Sequence, residues 1–289
     1  MSEQVATPEA VTPEVVAPIA PIETAKMYIS EIYDCSQGEG PLVGTPSVLV
    51  RTSTCNLRCR WTDAATGKLS ICDTPFTSWN ADTTNFMPIQ EIYETVVKTA
   101  LAHSDGTKRR TPITNVIISG GEPMMWGVAL ADLALGFLAT GLHVTIETNG
   151  TKFVEINTRQ KRKGQDPIDL TGNVLMSISP KLKSSVPVGS PFEKEHEKLR
   201  INYVVLEELL KRYPSYLKFV VTNEDDIKEI QEIQAKLKLP SQRIFLMAMG
   251  TTTAQILANG PAVHALCMKN GYRYSPREHV ILFSDTRKT

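Results

Sequence analysis

The sequence predicts an α/β fold in which parallel strands form an open, partial (β/α)6-type barrel. Six short runs, at 47–52, 115–119, 143–148, 174–178, 216–221 and 243–249, are rich in Val, Ile, Leu or Phe, as strands covered on both faces tend to be. Helical segments stand between them, and alternating β and α units imply a parallel sheet with right-handed crossovers. Polar and glycine-rich motifs fall just beyond the strands, on the face where such architectures assemble active sites. Strand order cannot be read from sequence, so a doubly wound sheet stays open as the alternative.

Taken in order, residues 1–24 are rich in Pro, Ala, Val and Glu, with prolines at 8, 13, 18 and 21. That composition predicts a disordered leader, with a single domain over 25–289. Residues 27–33 alternate like an edge strand and run into the turn Ser36-Gln37-Gly38-Glu39-Gly40-Pro41. After Pro88, residues Ile89, Ile92, Val96, Ala100 and Leu101 share one helical face. A second helix over 127–140 should stop at Gly141. A third, over 225–239, carries isoleucines at 227, 230 and 233 and ends at Pro240. Cys267, beside Ala265, Leu266 and Met268, reads as a buried small side chain on a helix.

The chain has 289 residues, 42% of them hydrophobic, and 31 basic against 31 acidic residues give zero formal net charge. That balance argues against a broad nucleic-acid surface. No apolar run is long enough to cross a bilayer, and there is no secretory signal pattern. Five cysteines, an odd number and clustered, disfavour a disulfide scaffold. A reducing cytoplasm is the expected setting.

Cys55, Cys59 and Cys72 lie within eighteen residues, directly after the first predicted parallel strand. Three thiolates on one loop suit a soft metal centre with an open position. Zinc closed by Cys35 or a histidine is the competing reading. Gly120-Gly121 could be only a tight turn, and Glu122 an ordinary helix-start carboxylate. Arg51 and Glu147 sit in otherwise apolar strands, where a charge is costly without a partner.

Together these motifs resemble the radical S-adenosylmethionine superfamily, whose mark is C-x3-C-x2-C. Cys55-x3-Cys59 keeps the first half, whereas twelve residues, 60–71, separate Cys59 from Cys72. Within the superfamily the chain is most similar to 7-carboxy-7-deazaguanine synthases. The likeness runs through Gln37-Gly38-Glu39-Gly40-Pro41, Arg51, Cys55-Asn56-Leu57-Arg58-Cys59, Trp61 and Cys72-Asp73-Thr74. It continues through Gly120-Gly121-Glu122-Pro123, Glu147-Thr148-Asn149-Gly150 and Ser179-Pro180-Lys181, covering about 27–283. Trp61 and Cys72-Asp73-Thr74 then read as halves of one motif split by an insertion at 60–71.

The resemblance implies a radical ring contraction of 6-carboxy-5,6,7,8-tetrahydropterin to 7-carboxy-7-deazaguanine with release of ammonia. This is a lyase reaction of queuosine and related 7-deazapurine biosynthesis. It implies a 4Fe–4S cluster on Cys55, Cys59 and Cys72, and magnesium at Thr74. It places S-adenosylmethionine about Gly121, Glu122, Glu147, Ser179, Pro180 and Lys181. The pterin would meet Ser36, Gln37, Gly38, Arg51 and Ser119, with Arg51 gripping its carboxylate bidentately. A flavodoxin or ferredoxin as electron donor and a homodimer are further implications. Met247-Ala248-Met249, where relatives often have Gln-Pro-Met, and the tail 284–289 depart from the family pattern. A glycyl-radical activase, which shares the cluster, and a zinc-stabilised binding module are the alternative functions.

Overall fold

The computed structural model describes residues 25–62, 67, 69–103, 105–160, 168–284 and 286–288. The expected leader, 1–24, lies outside the described residues. The strands are β1 (Lys26–Ser36), β2 (Pro46–Thr52), β3 (Arg60–Thr62), β4 (Leu69–Ile71), β5 (Phe86–Pro88), β6 (Asn115–Gly120) and β7 (His143–Thr148). They continue with β8 (Arg159–Gln160), β9 (Ile168–Asp169), β10 (Val174–Ile178), β11 (Ser215–Val221), β12 (Ile244–Ala248) and β13 (Arg273–Tyr274). The helices are α1 (Ile89–Leu101), α2 (Val128–Ala139), α3 (Glu193–Leu199), α4 (Tyr203–Arg212), α5 (Glu224–Leu237), α6 (Thr253–Asn270) and α7 (Glu278–Phe283).

Nine strands form one sheet in the order β13-β12-β11-β10-β7-β6-β2-β1-β5. The six expected strands are β2, β6, β7, β10, β11 and β12, and each lies parallel to its neighbour. They follow one another in chain order, without the reversal of a doubly wound sheet. Right-handed crossovers taken always in one direction place their helices on one face of the sheet.

Side-chain alternation explains what each face does. Val48, Val50, Val116, Ile118, Val144, Ile146, Leu217 and Phe219 belong to one buried core with Ile92, Val96, Leu130, Phe137, Leu206 and Ile230 of the helices. The intervening residues Leu49, Arg51, Ile117, Ser119, Glu147, Lys218, Val220 and Met247 instead line a cavity. The polar members of these strands therefore share the face away from the helices.

Three expectations change. The strand at 27–33 is longer and is not the edge, because β5 pairs with Lys26, Met27 and Tyr28. A three-residue partner is too short to be read as a strand from sequence. Between β7 and β10 there is no α-helix among the described residues; the paired β8 and β9 and a 3-10 turn at Thr171–Asn173 stand there instead. Leu101 is 52% exposed, so the buried face of α1 is Ile89, Ile92, Val96 and Ala100.

The helix ends follow local chemistry. Asn223 and Asp226 make a capping box at the start of α5, and Gly141, at φ +80°, follows α2. Cys267 is buried on α6, as expected. Among the described residues no helix is long and apolar enough to cross a membrane.

Candidate active site

The cysteine loop is built onto the Gly-Gly-Glu segment backbone to backbone. Gly121 N donates to Thr52 O at 3.0 Å and Glu122 N donates to Thr54 O at 2.8 Å. A Cβ on Gly121 would overlap the carbonyl oxygens of Thr54 and Thr77. Close approach of main chain is thus why glycine stands there. Thr54 itself has φ +73°, a conformation costly for a branched side chain, and it turns the chain directly into Cys55.

The insertion becomes a β-hairpin. β3 and β4 pair antiparallel through Arg60↔Ile71, Trp61↔Ser70 and Thr62↔Leu69; its residues 63–66 and 68 lie outside the described residues. At the hairpin base the Cys72 amide donates to the Cys59 carbonyl at 3.1 Å. Trp79 Nε1 donates to the same carbonyl, also at 3.1 Å. Residues with twelve others between them in sequence are therefore brought side by side. All three cysteines are free thiols lining one cavity of about 300 Å³.

Burial raises the Cys55 thiol to about 12, with the Glu122 carboxylate adding to the effect. Burial also raises Cys59 and Cys72. Loading a soft metal centre here must displace protons. Among the described residues no three Cys, His, Asp or Glu side chains are grouped as a single metal ion would need.

Twelve further candidates divide clearly. Thr74, Gly121, Glu147, Ser179, Lys181, Ser36, Gln37, Gly38, Arg51 and Ser119 line the same cavity. Thr74 Oγ1 is 3.4 Å from Cys72 Sγ, and Lys181 Nζ donates to Ser179 Oγ at 3.0 Å. Glu122 and Pro180 do not line it. Glu122 is fully buried, and its carboxylate accepts from Met124 N at 2.9 Å, Thr148 Oγ1 at 2.7 Å and Asn149 N at 2.6 Å. Burial lifts its pKa above the usual carboxylate value against the pull of those donors. Here Glu122 ties the loop after β6 to the loop after β7. Thr222 and Asn223, after β11, cap α5 and stand apart from the site.

Arg51 is not waiting as an open fork. Its Nε donates to Glu31 Oε2 at 2.9 Å and its Nη2 to Tyr33 Oη at 3.2 Å. Glu31 holds the Nε side because it stands opposite Arg51 in the β1–β2 ladder; Nη1 has no partner among the described residues.

Several site residues escaped the sequence. Lys218 Nζ lies 2.6 Å from Glu39 Oε2 and 3.2 Å from Glu147 Oε1. Ser119 Oγ donates to Glu147 Oε2 at 2.8 Å. Arg277 Nε is 3.2 Å from Glu39 Oε1, and its Nη2 pairs with Asp73. These charges form one alternating chain, Asp73–Arg277–Glu39–Lys218–Glu147, along the cavity. Burial disfavours the ionised forms, but the paired charges outweigh it: Glu39 is held below the carboxylate range and Lys218 above the usual amine value. His279, packed on Gly38, completes this wall, with its pKa lowered chiefly by burial. Lys218 had a readable signal, a lysine inside the apolar run of β11; Arg277 and His279 had none.

No family model matches the chain. Curated relatives do. It is 36% identical to a 7-carboxy-7-deazaguanine synthase of Halobacterium salinarum, over 90% of this chain and 92% of the relative. It is 31% identical to a 7-carboxy-7-deazaguanine synthase of Rhodopirellula baltica, over 92% and 90%. Its fold is similar to a crystal structure of QueE from Escherichia coli, with a TM-score of 0.55 at 19% identity, covering 86% of this chain and 93% of that one. With likeness over nine-tenths of both chains at this level of identity, the chain belongs to the 7-carboxy-7-deazaguanine synthase family.

Proposed function

We propose that the chain is a carbon–nitrogen lyase that contracts the ring of 6-carboxy-5,6,7,8-tetrahydropterin, giving 7-carboxy-7-deazaguanine and ammonia for 7-deazapurine (queuosine) biosynthesis. The observation that carries this reading, beyond family membership, is one cavity shared by three free cysteines and the Arg51–Glu31 pair. Three soft donors with no sulfur partner suit a 4Fe–4S cluster that keeps one iron for S-adenosylmethionine. Bound there, the cluster and S-adenosylmethionine would supply one-electron reduction and a carbon radical.

The chain's own residues do the rest. Cys55, Cys59 and Cys72 would hold the cluster, with the hairpin base fixing the last two. Gly121, Ser179 and Lys181 would border S-adenosylmethionine, with Glu122 and Pro180 shaping that wall from behind. Ser36, Gln37, Gly38, Ser119 and Arg51 would hold the pterin. Glu147, held by Ser119 and Lys218, would also face S-adenosylmethionine. Thr74 offers a hydroxyl for magnesium, a hard cation that prefers oxygen. Charges held by fixed partners would add preorganised polarity along the cavity. A single domain over 25–289, a cytoplasmic setting, a homodimer and a flavodoxin or ferredoxin donor belong to the same proposal.

The test is anaerobic reconstitution followed by iron analysis and electron paramagnetic resonance, then incubation with the carboxypterin. Iron uptake with consumption of the pterin supports the reading. An activase would leave the pterin unchanged, and stoichiometric zinc without iron would favour a binding module.

A further inference from the structure

After α7, Ser284 adopts φ +57°, and the chain turns so that Thr286, Arg287 and Lys288 line the cavity. Arg287 Nε and Nη2 donate to Glu31 Oε1 at 2.9 and 2.6 Å. Its guanidinium lies 3.9 Å from the centroid of the Phe76 ring, on the segment that follows Thr74. Glu31 is almost wholly buried, and its other oxygen is the one that holds Arg51. One carboxylate therefore bridges two guanidiniums from distant parts of the chain.

Two guanidinium charges against one carboxylate leave a single positive charge unbalanced within this cluster. That is the complement of one incoming monoanion. Nε and Nη2 are engaged in Arg51 and in Arg287 alike, which leaves each guanidinium its Nη1 group without a hydrogen-bond partner among the described residues. One such group from each arginine, on the two oxygens of Glu31, gives a carboxylate two charge-assisted donors where either guanidinium alone is partly spent.

We propose that Arg287 is a specificity-determining residue: with Arg51, across Glu31, it forms a two-arginine wall that selects a heterocyclic substrate by its carboxylate. The same contacts, to Glu31 and Phe76, strap the tail across the cavity. This inference rests on the pterin reading of the site.

The experiment uses the full chain, cluster-loaded and saturated with S-adenosylmethionine under anaerobic conditions. Equilibrium binding of 6-carboxytetrahydropterin is compared with that of the uncharged 6-hydroxymethyl analogue. Arg287→Ala should weaken carboxypterin binding about tenfold or more, the scale of one charge-assisted hydrogen bond, and leave the analogue and S-adenosylmethionine unaffected. Arg287→Lys should recover part of the loss. Unchanged carboxypterin binding in Arg287→Ala, or an equal loss for both pterins, overturns the proposal. Hydrogen exchange over 281–288 without pterin supplies a separate reading: Arg287→Ala should exchange faster, and identical exchange overturns the strap. Failure of the wild-type protein to bind the carboxypterin would instead sink the function proposed above and the selectivity with it, leaving the strap to the exchange result.

Discussion

The Cys72 amide donates a hydrogen bond to the Cys59 carbonyl at 3.1 Å, so two cysteines separated by twelve residues become cross-strand neighbours. The insertion is an appendage that leaves the base of the loop intact. Replacing 63–68 by a two-residue Asn-Gly turn, which suits a short hairpin, should preserve iron content after reconstitution. Cys72→Ala should lower iron content and the cluster's resonance signal. A normal cluster in Cys72→Ala would remove Cys72 from the ligand set.

Gly121→Ala should damage the site from below. The added methyl meets the Thr54 and Thr77 carbonyls, and overpacking of this kind costs about 1–3 kcal/mol. A fall of several degrees in thermal midpoint and poorer iron loading are expected. Gly172→Ala, where nothing lies within 4 Å of the new methyl, is the control and should change neither.

Lys218→Met removes the cation shared by Glu39 and Glu147. Stranding these partly buried carboxylates costs less than the roughly 3 kcal/mol of a fully buried pair, and Arg277 and Ser119 retain part of the pairing. Thermal or urea unfolding should show the loss. Adding Glu147→Gln to Lys218→Met should recover some of it, because a neutral amide needs no cation. A double variant less stable than Lys218→Met would contradict the pairing.

His196 gives the apoprotein an acid-sensitive support. It is 2% exposed, its Nδ1 accepts from the Arg58 amide at 3.2 Å, and Ser185 Oγ lies 3.4 Å from Nε2. Burial, then Lys181 and Arg200, lower its pKa to about 4. The unfolded chain binds this proton near pH 6.5, so between about 6.5 and 4 it holds more protons than the folded one. Stability is present above that window and is lost as pH falls through it. Apoprotein thermal midpoints should drop between pH 7 and 5, with a smaller pH-dependent drop in His196→Asn. Equal slopes in the two proteins would count against His196.

Arg51→Leu should weaken carboxypterin binding more than S-adenosylmethionine binding. It also leaves Glu31 with Arg287 alone, so some stability should be lost. Equal losses for the two ligands would refute its assignment to the pterin side.

The six parallel strands were legible because buried parallel strands are continuous apolar runs, and Arg51 and Glu147 because charges stand out within such runs. Lys218 carried the same signal in β11. The pairing that makes the site was not legible. Glu31 finds Arg51 through strand register and Arg287 through the path of the tail, and neither leaves a pattern in local composition. The hairpin was hidden for a related reason: β3 and β4 are three residues each and only cross-strand pairing identifies them. Glu122 and Asn223 carry the opposite lesson, since residues at strand ends also serve as ties and caps.

The most direct test of the central claim is anaerobic turnover of the reconstituted full chain with S-adenosylmethionine, a reductant, magnesium and 6-carboxy-5,6,7,8-tetrahydropterin. The account predicts stoichiometric 7-carboxy-7-deazaguanine and ammonia. Unchanged carboxypterin from protein that carries a full cluster and binds S-adenosylmethionine would contradict it.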